Sequence, residues 1–218
     1  MKTNEEVWSI VNELKALYPD SLCSLEYEKD YELLFSVRLA AQCTDERVNK
    51  VTPALFARFS TLESLAEADV AEVEQYIHST GFFRAKARDI VLASQMLLRD
   101  YGGKVPGTME ELLKLPGVGR KTANLMLGDV FHVPGVVVAD THCIRITGLL
   151  GLTDGSKDPA KVEMQLRQVL PPEESNDFCH RMVLHGRAVC IARRPQCESC
   201  TLRPWCDHFA KNRAGANA

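Results

Sequence analysis

The stretch of sequence that decides the fold covers residues 115–123 and reads Leu-Pro-Gly-Val-Gly-Arg-Lys-Thr-Ala. Apolar residues recur at helical spacing on both sides of it, which predicts helices at about 109–115 and 120–131. Gly117, in a Pro-Gly pair, and Gly119 predict a sharp turn between these helices, because glycine tolerates backbone angles that other residues avoid. The N–H groups that open the second helix would then point outward and could bind a phosphate oxygen.

This stretch is typical of a helix-hairpin-helix, a motif that binds DNA without regard to its sequence. A plain turn between two helices is the alternative, since it too can use a Pro-Gly pair. The full pattern Leu-Pro-Gly-Val-Gly is more specific than two spaced glycines, and it favours the DNA-binding interpretation.

Lys121 lies in the first turn of the predicted second helix, where the helix dipole disfavours a positive charge. A residue that breaks a local rule suggests a function, and we interpret Lys121 as a nucleophilic amine. Such an amine must be neutral, which we expect from desolvation in a closed pocket, helped by Arg120. The alternative is a surface lysine that binds phosphate as a point charge.

Asp140 follows the apolar run Val136–Val138 and precedes a predicted helix. An aspartate at a helix N-terminus is common for stability alone. A carboxylate that faced the same cleft as Lys121 could also stabilise a positively charged sugar and shuttle protons. Sequence spacing leaves both interpretations of Asp140 open.

Four cysteines near the C-terminus have the spacing C-x6-C-x2-C-x5-C and are Cys190, Cys197, Cys200 and Cys206. Four thiolates in so short a stretch favour a [4Fe-4S] cluster. Zinc is the alternative, but structural zinc sites usually pair two C-x2-C knuckles and this chain has one. Disulfides would need an oxidising compartment, and residues 1–6 lack the apolar region of a signal peptide. We expect the remaining cysteines to be small buried thiols: Cys23, Cys43, Cys143 and Cys179.

The composition of the chain predicts a soluble intracellular protein. It has 218 residues, 45% of them hydrophobic, and no apolar run of membrane-spanning length. Its net charge of -3 does not indicate a nucleic-acid binder. Residues 181–213, however, contain seven basic and two acidic residues, whereas residues 63–74 contain five acidic and no basic ones. Any DNA-binding surface should therefore include the first of these segments, and the alternative is that its charges serve ordinary solubility.

Helical periodicity almost everywhere predicts an all-α protein. Further helices are expected in the first segment, after Asp30, and at about 45–58, 62–68, 70–79, 84–101, 141–150, 160–170 and 174–190. The run Val136–Val138 is too short to build a sheet, so we expect an extended connector there.

Taken together, these motifs resemble the endonuclease III family, bifunctional DNA glycosylases of the helix-hairpin-helix superfamily. The resemblance rests on the hairpin stretch, on Val-Ala-Asp-Thr-His at 138–142, on Leu-His-Gly-Arg at 184–187 and on the four spaced cysteines. It extends from residue 31 to residue 206.

The resemblance implies an all-α, two-domain protein that binds DNA across the cleft between its domains. A central helical domain of residues 23–133 would carry the helix-hairpin-helix, and residues 1–22 with 134–218 would form the iron-sulfur cluster domain. The implied enzyme is a base excision repair DNA glycosylase and AP lyase, acting on duplex DNA with an oxidised pyrimidine or abasic site. We expect a cytoplasmic, nucleoid-associated monomer, of prokaryotic origin.

By this resemblance Lys121 attacks the sugar of the damaged nucleotide and Asp140 assists. The implied DNA contacts are Gln42, Phe82, Gly117, Gly119, Arg120, His142, Arg145, Arg187, Arg193 and Arg194. Gln42 would fill the gap left by the extruded base, and the loop with Phe82 would wedge the opposite strand. The alternative is that Phe82 is simply a core residue. The family pattern has an aliphatic residue where Phe82 stands and a larger apolar residue where Cys143 stands, so opposite-base preference and pocket shape are open.

Three rival functions remain, and one of them is a zinc-stabilised binding module, which would be colourless instead of brown. The adenine-specific branch of the superfamily resembles this chain but typically carries serine at the position of Lys121. Its catalytic acid precedes the segment that matches Gln42, where this chain offers Val37 and Arg38. A non-catalytic DNA-binding protein is the second rival, and the presence of both Lys121 and Asp140 argues against it.

Overall fold

The computed structural model describes residues 2–21 and 23–216, and of residues 214–216 it describes the backbone alone. Its α-helices are α1 (Asn4–Leu17), α2 (Asp30–Ala40), α3 (Asp45–Arg58), α4 (Leu62–Ala66), α5 (Val70–Ile77), α6 (Phe83–Tyr101), α7 (Met109–Leu112), α8 (Arg120–Asp129), α9 (Thr141–Leu150), α10 (Pro159–Val169), α11 (Ser175–Ala188) and α12 (Asp207–Ala216). The described residues contain no β-strand, which confirms the predicted all-α class. In the same part of the chain, no helix combines the length and the apolar character needed to cross a membrane.

Side-chain caps fix where several of these helices begin. At α1 the Glu6 N–H donates to the Thr3 hydroxyl (3.3 Å) and the Thr3 N–H donates to the Glu6 carboxylate (2.9 Å), which is a capping box. Thr44 caps α3 and Asp69 caps α5 in the simpler way, by accepting one N–H of the first turn. Each such cap is worth about 1 kcal/mol, because it satisfies a donor that the helix leaves unpaired.

One compact unit runs from Cys23 to Phe131. Its longest helix, α6, buries Ile90 and Leu97 and packs mainly against α4 and α5. Helix α2 packs against α3 and α8 and contributes the fully buried Leu33 and Leu34. The hairpin α7–α8 therefore rests on a helical core within its own unit.

The other compact unit joins Met1–Leu22 to His132–Ala218. Helix α11 packs against α1 and α9, and α12 packs against α9. Before α9 the run Val136–Val138 is buried and belongs to no helix or strand, as a connector should. This connector leads directly into Asp140 at the start of α9.

The structure differs from the predicted helices mainly at the C-terminus. Helix α12 was not predicted, because Phe209 is its single large apolar residue and a helical repeat cannot be recognised from one position. The predicted helices at 62–68 and 109–115 end at Ala66 and Leu112. The predicted helix at 174–190 covers Ser175–Ala188, with a short 3-10 turn, Pro172–Glu174, before it.

Candidate nucleic-acid interface

The predicted hairpin forms between α7 and α8. Leu112 and Leu115 are buried and anchor its first arm, and the Val118 N–H donates to the Leu115 carbonyl at 3.1 Å to close the turn. Gly117 has a φ of +75°, the left-handed region that glycine adopts readily. The Pro-Gly pair thus makes the sharp turn that the sequence predicted.

The two glycines of the hairpin meet different surroundings. A Cβ on Gly117 would lie 2.6 Å from Arg38 Nε and 2.7 Å from Asp89 Oδ2, whereas a Cβ on Gly119 would meet no atom within 4 Å. Gly119 is the N-cap of α8, and it provides no side-chain acceptor for the first N–H groups of that helix. The exposed N-terminus of α8 therefore has room for a phosphate to approach its backbone.

Arg38 and Asp89 form an ion pair directly beneath Gly117, with Nε and Nη2 of Arg38 lying 2.8 and 2.7 Å from Asp89 Oδ2. The pair joins α2 to α6 and supports the turn from below. No sequence pattern predicts this ion pair, since the two residues are 51 positions apart and neither belongs to a motif.

Lys121 is exposed in the first turn of α8, next to the exposed Arg120. Because the side chain is exposed, the closed pocket that we expected around its amine stays a prediction. Any desolvation of the amine must therefore come from a bound molecule that covers it.

Asp140 is the N-cap of α9, and its Oδ1 accepts the Cys143 N–H at 2.7 Å. The side chain is half-buried. The structure therefore confirms that Asp140 caps a helix. Since the cap uses Oδ1, a chemical role would fall to the other carboxylate oxygen. Lys121 belongs to the unit Cys23–Phe131 and Asp140 to the other unit.

Gln42 and Phe82 share an unusual backbone conformation, a positive φ angle. Among the described residues that are not glycine, positive φ angles occur at Gln42 (+56°), Phe82 (+47°) and His132 (+49°). Gln42 is exposed, and Phe82 exposes 67% of its surface although it is a large aromatic residue. Strained, exposed residues of this kind concentrate at functional sites.

Arg145 has partners inside the protein. Its Nη2 donates to the Cys190 carbonyl at 2.6 Å and its Nη1 to the Cys190 sulfur at 3.4 Å. The structure therefore places this predicted DNA contact against the cysteine segment. On the same helix His142 is half-buried and lies so close to Gly186 that any side chain at Gly186 would collide with it.

The four spaced cysteines line one pocket. Apolar side chains form much of the remaining wall, among them Ile146, Leu149, Leu150, Val189, Pro195 and Leu202. Among the described residues, no three His, Cys, Asp or Glu side chains are grouped so that they could hold one metal ion. The cysteines therefore surround a space instead of converging on a point.

Burial, and then the charges of the neighbouring thiolates, raises the pKa of Cys197 and of Cys200. Four thiolates around this pocket would repel one another, and a cationic centre between them would remove that repulsion. The Arg193 and Arg194 side chains are exposed on the segment that joins Cys190 to Cys197, and Arg187 is exposed just before it.

The other cysteines are thiols, as predicted, but only two of them are fully buried. Cys143 and Cys179 are buried and interact with each other, which raises the pKa of Cys143 well above its usual range. Cys23 and Cys43 are half-buried, and burial raises the pKa of Cys23 to about 12.

Comparison with known proteins identifies relatives over nearly the whole chain. A family model described as "HhH-GPD superfamily base excision DNA repair protein" matches residues 35–172. The chain is 48% identical to endonuclease III of Synechocystis sp. (strain ATCC 27184 / PCC 6803 / Kazusa) over 193 residues, 88% of each chain. It is 38% identical to endonuclease III of Escherichia coli (strain K12) over 202 residues, 93% of this chain and 95% of that one.

Solved structures show the same similarity. A trapped endonuclease III–DNA covalent intermediate and a non-covalent endonuclease III–DNA complex each superpose with a TM-score of 0.90 at 40% identity. Each comparison covers 98% of this chain and 100% of the other. A thermostable thymine-DNA glycosylase, 20% identical, shares the fold with a TM-score of 0.82.

Proposed function

Because this chain belongs to the HhH-GPD superfamily of base excision DNA repair proteins, we propose that it removes oxidised pyrimidines from duplex DNA and cleaves the abasic site through a Schiff base on Lys121. The family and the endonuclease III relatives confirm the predicted enzyme class, a base excision repair DNA glycosylase and AP lyase. The lesion, the residues and the chemical steps are the proposal.

A single observation carries the assignment of Lys121. Its amine is exposed in the first turn of α8, directly after the open N-cap Gly119, in a chain of this family. DNA whose phosphate approached Gly119 would cover Lys121, and would thereby supply the desolvation that the protein alone lacks. The solved relative trapped as a covalent intermediate with DNA supports a covalent step.

In the proposed reaction the neutral Lys121 amine attacks C1′ of the damaged nucleotide. A C–N bond to the lysine forms as the bond from C1′ to the base breaks, and the base leaves with that electron pair and a proton. Opening of the sugar ring gives the Schiff base, which acidifies the proton on C2′. Removal of that proton expels the 3′ phosphate, so the strand breaks on the 3′ side, and water then releases the lysine.

Asp140 would assist both steps. A carboxylate near C1′ stabilises the positive charge that develops on the sugar as the base departs, and it can accept a proton from the attacking amine. Because the α9 cap occupies Oδ1, the cap would orient the rest of the carboxylate without neutralising its charge.

The DNA contacts follow from the exposed, strained residues. We propose that Gln42 enters the space vacated by the flipped nucleotide and that Phe82 stacks on the opposite strand, where base stacking is worth roughly 1–3 kcal/mol. The open N-terminus of α8 would hold one phosphate, and Arg120, Arg187, Arg193 and Arg194 would add charge. His142 and Arg145 would act from α9, with Arg145 reaching DNA only if it leaves Cys190.

The cysteine pocket fits a [4Fe-4S] cluster, since four thiol donors surround one space with apolar walls. Cys190, Cys197, Cys200 and Cys206 would hold it. When bound, the cluster would supply a rigid cationic centre for the four thiolates and no chemistry at the sugar. The segment from Cys190 to Cys206 would then keep Arg193 and Arg194 fixed for DNA.

The catalytic proposal is tested on a duplex with a single thymine glycol, scored for base release and for strand cleavage. Lys121→Gln should lose both activities, since one amine serves both steps. Lys114→Gln is the matched control, because Lys114 is an exposed lysine of the same hairpin that pairs with Glu110 at 3.0 Å. Full cleavage by Lys121→Gln would refute the proposal.

The cluster proposal is tested by colour and iron content. The purified protein should be brown, with about four irons per chain. Cys200→Ser should lose iron and visible absorption, whereas Cys23→Ser should keep both, because Cys23 lies in the other unit. A colourless parent with bound zinc would contradict the assignment. The two-domain assignment, the monomeric state and the cytoplasmic, nucleoid-associated location stay predictions.

A further inference from the structure

Lys86 is a fully buried lysine that the proposed chemistry does not use. Lysine is almost never buried without a partner, because removing an ammonium from water is unfavourable. Its Nζ donates to the Leu39 carbonyl and to the Thr80 carbonyl, at 2.8 Å each. Burial lowers the pKa of Lys86, which shows that its environment disfavours the charge. A lysine kept in so unfavourable a place is expected to have a role in the protein.

The first acceptor lies at the end of α2, just before Gln42. Leu39 belongs to the last turn of α2, whose carbonyls have no partners within the helix and favour a cation nearby. The Cys43 N–H donates to the Ala40 carbonyl at 3.0 Å and closes the turn that holds Gln42 at its positive φ. By binding the Leu39 carbonyl, Lys86 therefore holds the end of α2, from which the Gln42 turn starts.

The second acceptor lies in the loop of Phe82. Thr80 ends a short 3-10 turn, His78–Thr80, and Gly81 and Phe82 follow with φ angles of +70° and +47°. The Lys86 N–H donates to the Phe82 carbonyl at 3.1 Å, while its Nζ binds the Thr80 carbonyl. One residue thus holds both sides of this loop.

We propose that Lys86 is a positioning residue that sets the spacing between Gln42 and Phe82, so that both side chains enter DNA together at the damaged nucleotide. The ammonium joins the two loops through one buried point, and both loops carry an exposed residue in a backbone conformation that non-glycine residues rarely adopt. This inference rests on the proposed DNA-binding roles of Gln42 and Phe82.

The inference is tested by replacing the ammonium and keeping the stem, with Lys86→Met. The measured quantity is the ratio of two affinities, for a duplex with a tetrahydrofuran abasic-site analogue and for the undamaged duplex, at one salt concentration. We expect this ratio to fall by about ten- to 100-fold, as a misplaced site does. Affinity for undamaged DNA should stay the same, because phosphate contacts supply it.

Two controls separate positioning from general destabilisation. Leu97→Ala weakens the core of the same helix, α6, away from both loops, and should leave the affinity ratio unchanged. In a chain that already carries Gln42→Ala and Phe82→Ala, adding Lys86→Met should change the ratio by less than about twofold, since coupled residues are not additive. Lys86→Arg, which keeps the donors, should recover part of the ratio.

An unchanged ratio in Lys86→Met, or the same loss in Leu97→Ala, would overturn the inference. An undiminished effect of Lys86→Met in the chain without Gln42 and Phe82 side chains would overturn it as well. If Lys86→Met does not fold, Lys86→Leu, which also lacks a donor, takes its place with the same expectations. A parent protein that does not prefer the abasic analogue would refute the proposed function itself, which is a separate result.

Discussion

At the scale of single residues, Gly117 and Gly119 stand two positions apart and meet opposite surroundings. Gly117→Ala places a Cβ against Arg38 and Asp89 at a positive φ, so we expect a loss of about 1–3 kcal/mol in the free energy of unfolding. Gly119→Ala has open space and a negative φ, so we expect a loss below about 1 kcal/mol.

Compared with its loss of stability, Gly119→Ala should lose more DNA affinity than Gly117→Ala does. Gly119→Ala introduces a methyl group where the proposed phosphate approaches the α8 backbone, and should weaken binding to an abasic-site duplex more than its stability explains. Urea unfolding and fluorescence anisotropy measure the two quantities. Equal affinity of Gly119→Ala and the parent would contradict the assigned phosphate site.

Asp140 allows its capping role and its chemical role to be separated. Asparagine caps helices as well as aspartate does, so Asp140→Asn should unfold within about 0.5 kcal/mol of the parent. Its rate of base release should nevertheless fall by about 10²- to 10⁴-fold, because the amide cannot accept a proton or stabilise positive charge. Asp140→Ala should lose both the cap and the activity. An active Asp140→Asn would leave Asp140 a purely structural residue.

At the scale of elements, an ion-pair group fixes α1 to the start of α11. Glu174 accepts hydrogen bonds from Lys15 and from the buried Arg181. These bonds, the one from Lys15 most of all, hold the pKa of Glu174 below its usual 4.5. The group therefore stabilises the fold above about pH 4.5, and this contribution is lost as the pH falls through the lower, folded-state pKa.

Replacing this carboxylate should be destabilising at neutral pH and harmless in acid. Glu174→Gln should lose about 1–3 kcal/mol of unfolding free energy at pH 7, since it leaves Arg181 buried with a single carboxylate partner. The difference from the parent should shrink as the pH falls below about 4.5. Glu173→Gln, at an exposed neighbour, is the control. A difference that grew in acid would reverse the assigned sign.

Sequence patterns predicted the elements well where periodicity or caps were present. The ranges of α3, α6, α8 and α9 were correct to within about two residues, because apolar spacing and N-caps determine them locally. Helix α12 lacks that spacing and was missed. The buried position of Lys86 and the contact of Arg145 with Cys190 depend on residues 45 or more positions away, which no local pattern records.

The candidate site was likewise predictable where a contiguous motif forms it, and not where distant residues do. The hairpin, the Asp140 cap and the cysteine spacing were evident in the sequence because each is a contiguous motif. The positive φ angles of Gln42 and Phe82 were not, since long-range packing imposes a conformation that neither residue prefers. The closed pocket expected around Lys121 stays a prediction, since the structure shows the side chain exposed at the N-terminus of α8.

At the scale of the whole molecule, a net charge of -3 must coexist with DNA binding. Local cations would supply the binding, so the logarithm of the affinity should fall linearly with the logarithm of the salt concentration, by about 0.9 per neutralised phosphate. Arg193→Gln should reduce this slope by about 0.9, and it should weaken binding to damaged and to undamaged DNA equally. Arg99→Gln, at an exposed arginine that pairs with Asp100, should leave the slope unchanged. An unaltered slope in Arg193→Gln would remove this residue from the interface.

The central claim is that one lysine performs both base removal and strand cleavage. Borohydride reduction during the reaction with a thymine glycol duplex tests it most directly, because the hydride converts a Schiff base into a stable covalent bond. We expect a covalent protein–DNA band on a denaturing gel, located at Lys121 by mass spectrometry of the digested adduct and absent in Lys121→Gln. A band that persists in Lys121→Gln, or its absence from an active parent preparation, would contradict the account.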